Sequence, residues 1–273
     1  MSGEEYKSLF RIIKDYSGLN LSLEHEFFLE NYINNRLKEL NLSIFEFNNV
    51  IKTDSQELTK LINEACINET YFFREQLQFD FLAKYFFPEF KGKTPIIWSA
   101  ACSTGEESLS LLAMSKKFDV QSLIIASDLD KTAIEKFNQG IYTKKSFRND
   151  GTKYHNLIQN ICDVEGENFI IKKEELNQIR KINYNLAKNA VMPVTENSVD
   201  LIFLRNVFIY FDEDLKQKVL QKMYKALKPG GLLFFSINEI PTIEEKDLHG
   251  FIKENEDSVY YLKKIVPFSN FMI

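Results

Sequence analysis

Three carboxylates near the middle of the chain, Glu106, Glu107 and Asp128, have the spacing of a nucleoside site. In TPIIWSAACSTGEESLSLLAMSKKF the run Ile96-Ile97-Trp98 reads as a short apolar strand, and a helical pattern carrying Leu109, Leu112 and Ala113 begins near Glu106. A second apolar run, Leu123 to Ser127, ends in Asp128, which falls 23 residues after Gly105. A carboxylate about 20 residues past such a turn, at the tip of the adjacent parallel strand, is where a ribose hydroxyl pair finds its acceptor. A dinucleotide would also need G-x-G-x-x-G, so that backbone amides and a helix N-terminus hold its pyrophosphate. Ser99 to Ser108 offers one glycine and puts Glu106 and Glu107 at the helix start, where they repel phosphate and suit a cation. S-adenosylmethionine carries an ammonium and a sulfonium and no phosphate, so it fits this stretch. Either glutamate alone could simply complement the helix dipole. Asp128 at its strand tip favours the ligand.

The same logic places further residues. An open α/β sheet lines its ligand crevice with residues just past the C-terminal strand ends. Lys181 to Tyr184 leads into Asn185-Leu186, and Val199 to Leu204 into Arg205-Asn206, so Asp128, Asn185, Arg205 and Asn206 should converge. Upstream, Cys66 to Glu75 sets Tyr71-Phe72-Phe73 before Arg74, too polar for the start of a core helix and too aromatic for a loop. The alternative there is a capped helix, with Asn68 or Thr70 as N-cap and Arg74 solvated.

The elements that must hold these residues can be traced along the chain. From Glu4 to Ala65 the apolar spacing is helical, interrupted at Ser17-Gly18-Leu19-Asn20 and Asn41-Leu42-Ser43. This all-helical unit, followed by a hinge near Lys91-Gly92-Lys93, is either a packing cap or a partner-binding module. After the helix Lys131 to Asn138, Glu167–Lys173 and Asn177–Lys181 read as short antiparallel strands around Glu174-Glu175-Leu176. Such an inserted hairpin, with an exposed edge, is a docking site for an extended peptide, a lid, or an edge with no partner. A helix from Asp212 to Leu227 follows, stopped by Lys228-Pro229-Gly230-Gly231, and then strands at Leu232–Ile237 and around Val259–Leu262.

With 273 residues, 44% of them hydrophobic, the chain can fill a large domain and a small one. A net charge of −5 and the lack of a basic block argue against nucleic acid. Cys66, Cys102 and Cys162 form no C-x-x-C pair and His25, His155 and His249 lie far apart, so neither a disulfide framework nor a metal site is expected. No apolar run approaches the length of a membrane span, and the N-terminal residues lack a signal pattern, so a cytoplasmic location without membrane insertion is expected.

Taken in order, NETYFFRE at 68–75, WSAACSTGEE at 98–107, ASDLD at 126–130, NL at 185–186, LRNVFIYFD at 204–212 and LKPGGLLFF at 227–235 closely resemble the CheR-type chemotaxis receptor glutamate methyltransferases. The resemblance covers nearly the whole chain, and N-x-T-x-F-F-R with R-N-V-x-I-Y-F is specific in combination. It implies a class I methyltransferase fold: a Rossmann-like, mostly parallel sheet with helices on both faces and a small antiparallel insertion at about 141–181. A helical N-terminal domain, residues 1–75, would precede a methyltransferase domain, residues 76–273. It also implies methyl transfer from S-adenosylmethionine to glutamates of a chemoreceptor's cytoplasmic domain, leaving S-adenosylhomocysteine, with the chain acting as a monomer and without a metal. Carried over by position, Asn68, Thr70, Arg74, Ala101, Glu107, Asp128, Asn185, Leu186, Arg205 and Asn206 match cofactor contacts. To these the helix-start argument adds Glu106, while Arg74, Arg205 and Tyr210 match active-site residues.

Three departures stand out. The second helix carries Leu29 to Lys38 with one arginine where the family has several, and residues 1–67 hold seven Lys and Arg against eleven Asp and Glu. Ser108 replaces the usual proline, and Ile237-Asn238-Glu239 the usual H-S-E. Alternatives remain at this level: a non-catalytic scaffold of the same fold that works through its helical unit or insertion, or a methyltransferase for another protein, a small molecule or a nitrogen. Nitrogen methylation of bases often uses a D/N-P-P-Y strand end, which Leu204-Arg205-Asn206-Val207 does not resemble.

Overall fold

The apolar stretch Ile96–Ala100 is buried from Ile97 onward because it runs through the centre of a seven-stranded sheet. A computed structural model describes residues 3–245, 248 and 250–265. Four helices come first, α1 (Glu4–Ser17), α2 (Leu23–Leu40), α3 (Ile44–Thr53) and α4 (Ser55–Ala65), and after an irregular segment α5 (Gln76–Phe81). Then follow β1 (Ile96–Ala100), α6 (Glu106–Lys117), β2 (Leu123–Asp128), α7 (Lys131–Gln139), β3 (Ile141–Thr143), α8 (His155–Gln159), β4 (Cys162–Glu165), β5 (Asn168–Ile171), α9 (Lys173–Leu176) and β6 (Ile179–Asn183). The chain closes with β7 (Val199–Leu204), α10 (Glu213–Ala226), β8 (Leu227–Phe234), β9 (Phe251–Glu256) and β10 (Val259–Lys264). The main sheet has the order β6-β2-β1-β7-β8-β10-β9, parallel from β6 to β8 and antiparallel at β10 and β9. From β1 the chain builds outward through β2 to β6, then returns to the other side of β1 with β7. That reversal opens a crevice at the C-terminal ends of β1, β2 and β7.

The N-terminal helices start and stop where turn chemistry directs. Gly18 and Asn41 end α1 and α2 in left-handed conformations, and Ser43 with Glu46 forms a capping box on α3. Apolar spacing gave no sign of the break at Asp54, which ends α3 and caps α4 by accepting the Gln56 and Glu57 N–H groups. Arg36 of α2 grips Glu57 of α4 with two hydrogen bonds of 2.8 and 2.6 Å. Leu9, Ile13, Ile33, Phe47 and Leu61 belong to the same buried cluster as Trp98, Ile202 and Val219, so these helices and one face of the sheet share a core.

The insertion differs from the expected hairpin. Asn168–Ile171 pairs with β3 and β4 in a separate three-stranded antiparallel sheet of order β3-β5-β4, and Lys173–Leu176 is helical. Ile179–Asn183 is instead the edge strand of the main sheet, parallel to β2 from Ile124↔Ile179 to Asp128↔Asn183. Ile179-Arg180-Lys181-Ile182 is short and mixes apolar with polar residues, as both a sheet-edge strand and a hairpin strand can, so it gave no means of telling them apart. The insertion therefore ends near residue 171 and not 181. Helix α10 stops at Ala226, close to the expected Leu227, but strand β8 begins at Leu227 and takes in Pro229-Gly230-Gly231, where the strand was expected only from Leu232.

Candidate active site

The β1–α6 turn is wound so that its amides face Asp128. Ala101 and Ser103 adopt left-handed φ angles of 63° and 48°, and Gly105 one of 96°. A Cβ at Gly105 would lie 2.3 Å from the Phe137 ring, so only glycine lets the turn pack on α7. In this conformation the Ser103 N–H donates to Asp128 Oδ2 at 2.7 Å, while the Asp130 N–H donates to Oδ1 at 2.9 Å. Burial pushes the Asp128 carboxyl up to about 6, against the opposing pull of these amides. Each oxygen keeps acceptor capacity toward the cleft. Asn68 braces the same turn, donating to Asp130 Oδ2 at 2.6 Å and accepting from Ser103 Oγ at 3.0 Å.

Arg205, just past the end of β7, has a buried guanidinium. Its Nη2 donates to the Arg74 carbonyl at 2.7 Å, and Nη1 lies 3.4 Å from Glu107 Oε2. Nε and Nη1 have no hydrogen-bond partner in the protein. Leaving buried charged donors open costs on the order of 1–3 kcal/mol, so the side chain is poised for an acceptor from outside the chain. Glu107 takes a 2.7 Å bond from Ser99 Oγ, and burial raises its carboxyl above the usual range, against the pull of Arg205. Arg74 donates from Nη1 to the Glu69 carbonyl at 2.6 Å and sits 5.5 Å from the Tyr71 ring. Tyr210, in the turn before α10, faces His25 of α2 edge-on at 6.3 Å, and burial raises its hydroxyl.

These residues border one cleft of about 940 Å³, solvent mouth included. Asn68, Thr70, Arg74, Ala101, Glu107, Asp128, Asn185, Leu186, Arg205, Asn206 and Tyr210 all line it. Glu106 does not: its buried carboxylate accepts from Thr104 Oγ1 at 2.7 Å and Ser146 Oγ at 2.9 Å, fixing the turn to the insertion. Of two neighbouring glutamates on a helix only one can face the ligand, and Glu106 points to the other side. Asn185 lines the wall, but its side chain is committed to the Tyr16 carbonyl and the Ala187 and Lys188 amides. The capped-helix alternative for 68–75 fails, since helix α5 begins only at Gln76. Its first amides are satisfied by Asp150 of the insertion, which accepts from the Glu75 N–H at 2.6 Å, the Gln76 N–H at 3.1 Å and the Tyr71 hydroxyl at 3.1 Å.

Two contributions were missed. Buried Glu239 accepts from the Asn206, Phe208 and Ser236 N–H groups at 2.7–2.9 Å, holding Asn206 at φ 57°; the glutamate retained in Ile237-Asn238-Glu239 was the available signal. Ser17 and Leu19 reach the cleft from the end of α1, where Ser17-Gly18-Leu19 was read as a helix break and not as part of the site.

A model of the CheR methyltransferase SAM-binding domain matches residues 68–256. The chain belongs to the CheR methyltransferase family. It is 30% identical to the chemotaxis protein methyltransferase of Borreliella burgdorferi, over 86% of this chain and 88% of that one. With the chemotaxis protein methyltransferase of Escherichia coli it shares 30% identity, over 88% and 85% of the two chains. As a CheR-family site the cleft fits its cofactor chemically: Asp128 offers an acceptor for ribose hydroxyls, and the open Arg205 donors suit the carboxylate of a methionine moiety. Among the described residues no group of three or more His, Cys, Asp or Glu could hold a metal ion, and no helix is long and apolar enough to cross a membrane.

Proposed function

We propose that the chain methylates glutamate side-chain carboxylates in the cytoplasmic domain of a chemoreceptor, giving glutamyl methyl esters. The observation that carries this reading is a cleft whose buried Arg205 leaves donors without partners in the protein, while its carboxylates are engaged: Glu69 by Arg148, Glu107 by Ser99 and Arg205, and Asp128 by the Ser103 and Asp130 amides. No histidine is among its described lining residues, and burial pushes the thiols of Cys66 and Cys102 up, so they stay protonated. A nitrogen or thiol acceptor would require such a base. A glutamate, with a pKa of about 4.3, is already ionised at neutral pH and requires none.

In this reading Asp128 accepts the ribose hydroxyls, while Arg205 and Arg74 orient carboxylates, the cofactor's or the substrate's. When bound, S-adenosylmethionine supplies an electrophilic methyl group: the O–C bond to glutamate forms as the S–C bond breaks, the electron pair stays on sulfur and no proton moves. Tyr210, its hydroxyl kept protonated, donates toward the attacking carboxylate and limits its freedom. Charge disappears toward the transition state, so the half-buried surroundings of Tyr71, Val207 and Tyr210 favour it over water. Residues 1–75 would form the helical domain and 76–273 the transferase domain, acting as a cytoplasmic monomer. The test is labelling of a receptor fragment with methyl-labelled cofactor. Esters release volatile methanol in mild alkali, and replacing the target glutamates by alanine should abolish the label. Alkali-stable label would overturn the carboxylate assignment.

A further inference from the structure

The turn that ends α1 is fastened to two walls of the cleft at once. Ser17 and Leu19 line the cleft, and both are buried. Just before them, the Tyr16 carbonyl accepts from Asn185 Nδ2 at 2.7 Å. Just after them, the Asn20 N–H donates to the Tyr210 carbonyl at 2.7 Å. Two outer contacts follow the same lines: Lys188 lies 5.5 Å over the Tyr16 ring, and Lys14 pairs with Asp212 at 3.3 Å.

The turn is also stiff. Gly18 holds a left-handed φ of 78° and donates its N–H to the Lys14 carbonyl at 2.7 Å, while Ser17 Oγ accepts from the Leu19 N–H at 3.2 Å and donates to the Ile13 carbonyl at 2.7 Å. A Cβ at Gly18 would run into the Leu215 Cδ2 methyl and come within 3.2 Å of the Ala187 Cβ. The backbone therefore presses against the start of α10 on one side and the loop after β6 on the other. Those two segments are remote from each other in sequence, and they carry Tyr210 and Asn185-Leu186 to the cleft.

We infer that residues 16–20 are a positioning element for methyl transfer: they hold Tyr210 and the Asn185-Leu186 wall in one fixed relation, so that the N-terminal helical unit completes the cofactor cleft. Tyr16, Gly18 and Asn20 act through other groups, by a carbonyl, a backbone conformation and an N–H, which is why their side chains announce only a helix break. An orienting group displaced by about 1 Å can cost about a hundredfold in rate, so a clamp of this kind bears on turnover without touching the reacting atoms. The effect on turnover rests on the role proposed above for Tyr210; the effect on the cofactor does not.

The experiment uses the full chain in two arms. In the first, hydrogen exchange of the wild type is followed with and without S-adenosylhomocysteine. The amides of residues 17–20 should slow about fivefold or more on binding, while those of α3, which adds no residue to the cleft's described lining, keep their rates. No slowing at 17–20, or equal slowing in α3, would overturn the inference. In the second arm, Gly18→Ala should weaken S-adenosylhomocysteine and lower kcat on a purified receptor cytoplasmic fragment, each about tenfold. Leu215→Val removes the colliding methyl: alone it should behave as wild type, and with Gly18→Ala it should restore both constants to within about threefold. The melting temperature of the double variant should stay low, because the left-handed strain on Ala remains. That split separates positioning from stability. A folded Gly18→Ala with wild-type constants, or a double variant that recovers neither, would overturn the inference; if Gly18→Ala does not fold, the exchange arm decides. A fragment that the wild type fails to methylate would refute the carboxylate reading alone, since exchange and cofactor affinity still decide the clamp.

Discussion

Cofactor affinity should fall as pH drops through about 6, because the acceptor proposed for the ribose is itself a weakened acid. Asp128 is buried, and desolvation raises its carboxyl to about 6 despite two backbone hydrogen bonds. Ribose hydroxyls donate to the carboxylate and not to the acid, so only the ionised fraction is competent to bind. The apparent Kd then scales as one plus ten to the power of pKa minus pH, which gives about a tenfold loss between about pH 7.5 and pH 5, close to 1.4 kcal/mol. Calorimetry with S-adenosylhomocysteine should also register release of about half a proton near pH 6. The shift has the opposite sign for folding: a raised carboxyl favours the native state below about 3.8 and loses that advantage as pH climbs through 6. Asp128→Asn removes the buried charge, but an amide cannot accept from both the Ser103 and Asp130 N–H groups, and the orphaned one costs about 1–3 kcal/mol. The two terms nearly cancel, so the variant should melt close to wild type while binding the cofactor more weakly and without pH dependence. A flat affinity from pH 5 to 7.5 in the wild type, or a slope that persists in Asp128→Asn, would refute the reasoning.

Arg205→Lys keeps the charge but loses the planar fork, and should weaken S-adenosylhomocysteine about tenfold by calorimetry; unchanged affinity would remove Arg205 from the cofactor site. Tyr210→Phe should lower the methylation rate and leave cofactor binding and melting temperature as they are. Asp150→Ala strips three hydrogen bonds from Tyr71, Glu75 and Gln76 and should cost about 0.5–2 kcal/mol in denaturant unfolding, with methyl transfer reduced through misplacement of Arg74. Glu57, held down to about 2 mainly by its hydrogen bonds from Arg36, contributes stability present above about 4.5 and lost as pH falls toward 2. Arg36→Met should therefore flatten the fall in melting temperature across that window.

The parts of the site readable in the sequence are those governed by strand ends. Asp128, Asn185, Arg205 and Asn206 follow apolar runs, and a parallel sheet delivers the ends of its strands to one edge whatever else it does. Side-chain direction within a turn was less legible: Glu106 and Glu107 are chemically identical, and the difference lies in Ser146 and Arg205, both remote in sequence. Strand pairing was least legible where burial was one-sided. Ile179–Asn183 and Asn168–Ile171 are both short, partly exposed runs of mixed character, and only the availability of β2 as a neighbour assigns them to different sheets.

The segment that carries Arg74 gains its order from elsewhere in the chain. Residues 68–75 form no helix or strand, and Phe73 and Glu75 hold left-handed φ angles of 56° and 59°, each costing on the order of 1 kcal/mol. The surrounding contacts offset that strain: Asp150 and the Ser146 carbonyl from the insertion, Ser110 of α6 on the Phe73 N–H, Ser236 on Glu75, and Arg205 on the Arg74 carbonyl. Gly151 lets the insertion approach closely, since a Cβ there would lie 2.7 Å from the Phe72 carbonyl. Arg205 thus has two roles, offering donors to the cleft and fixing the backbone that presents Arg74. The insertion fixes the same backbone from outside. An element that contributes no residue to the cleft's described lining therefore sets the geometry of Arg74, and the precision of the site depends on the insertion as much as on the sheet.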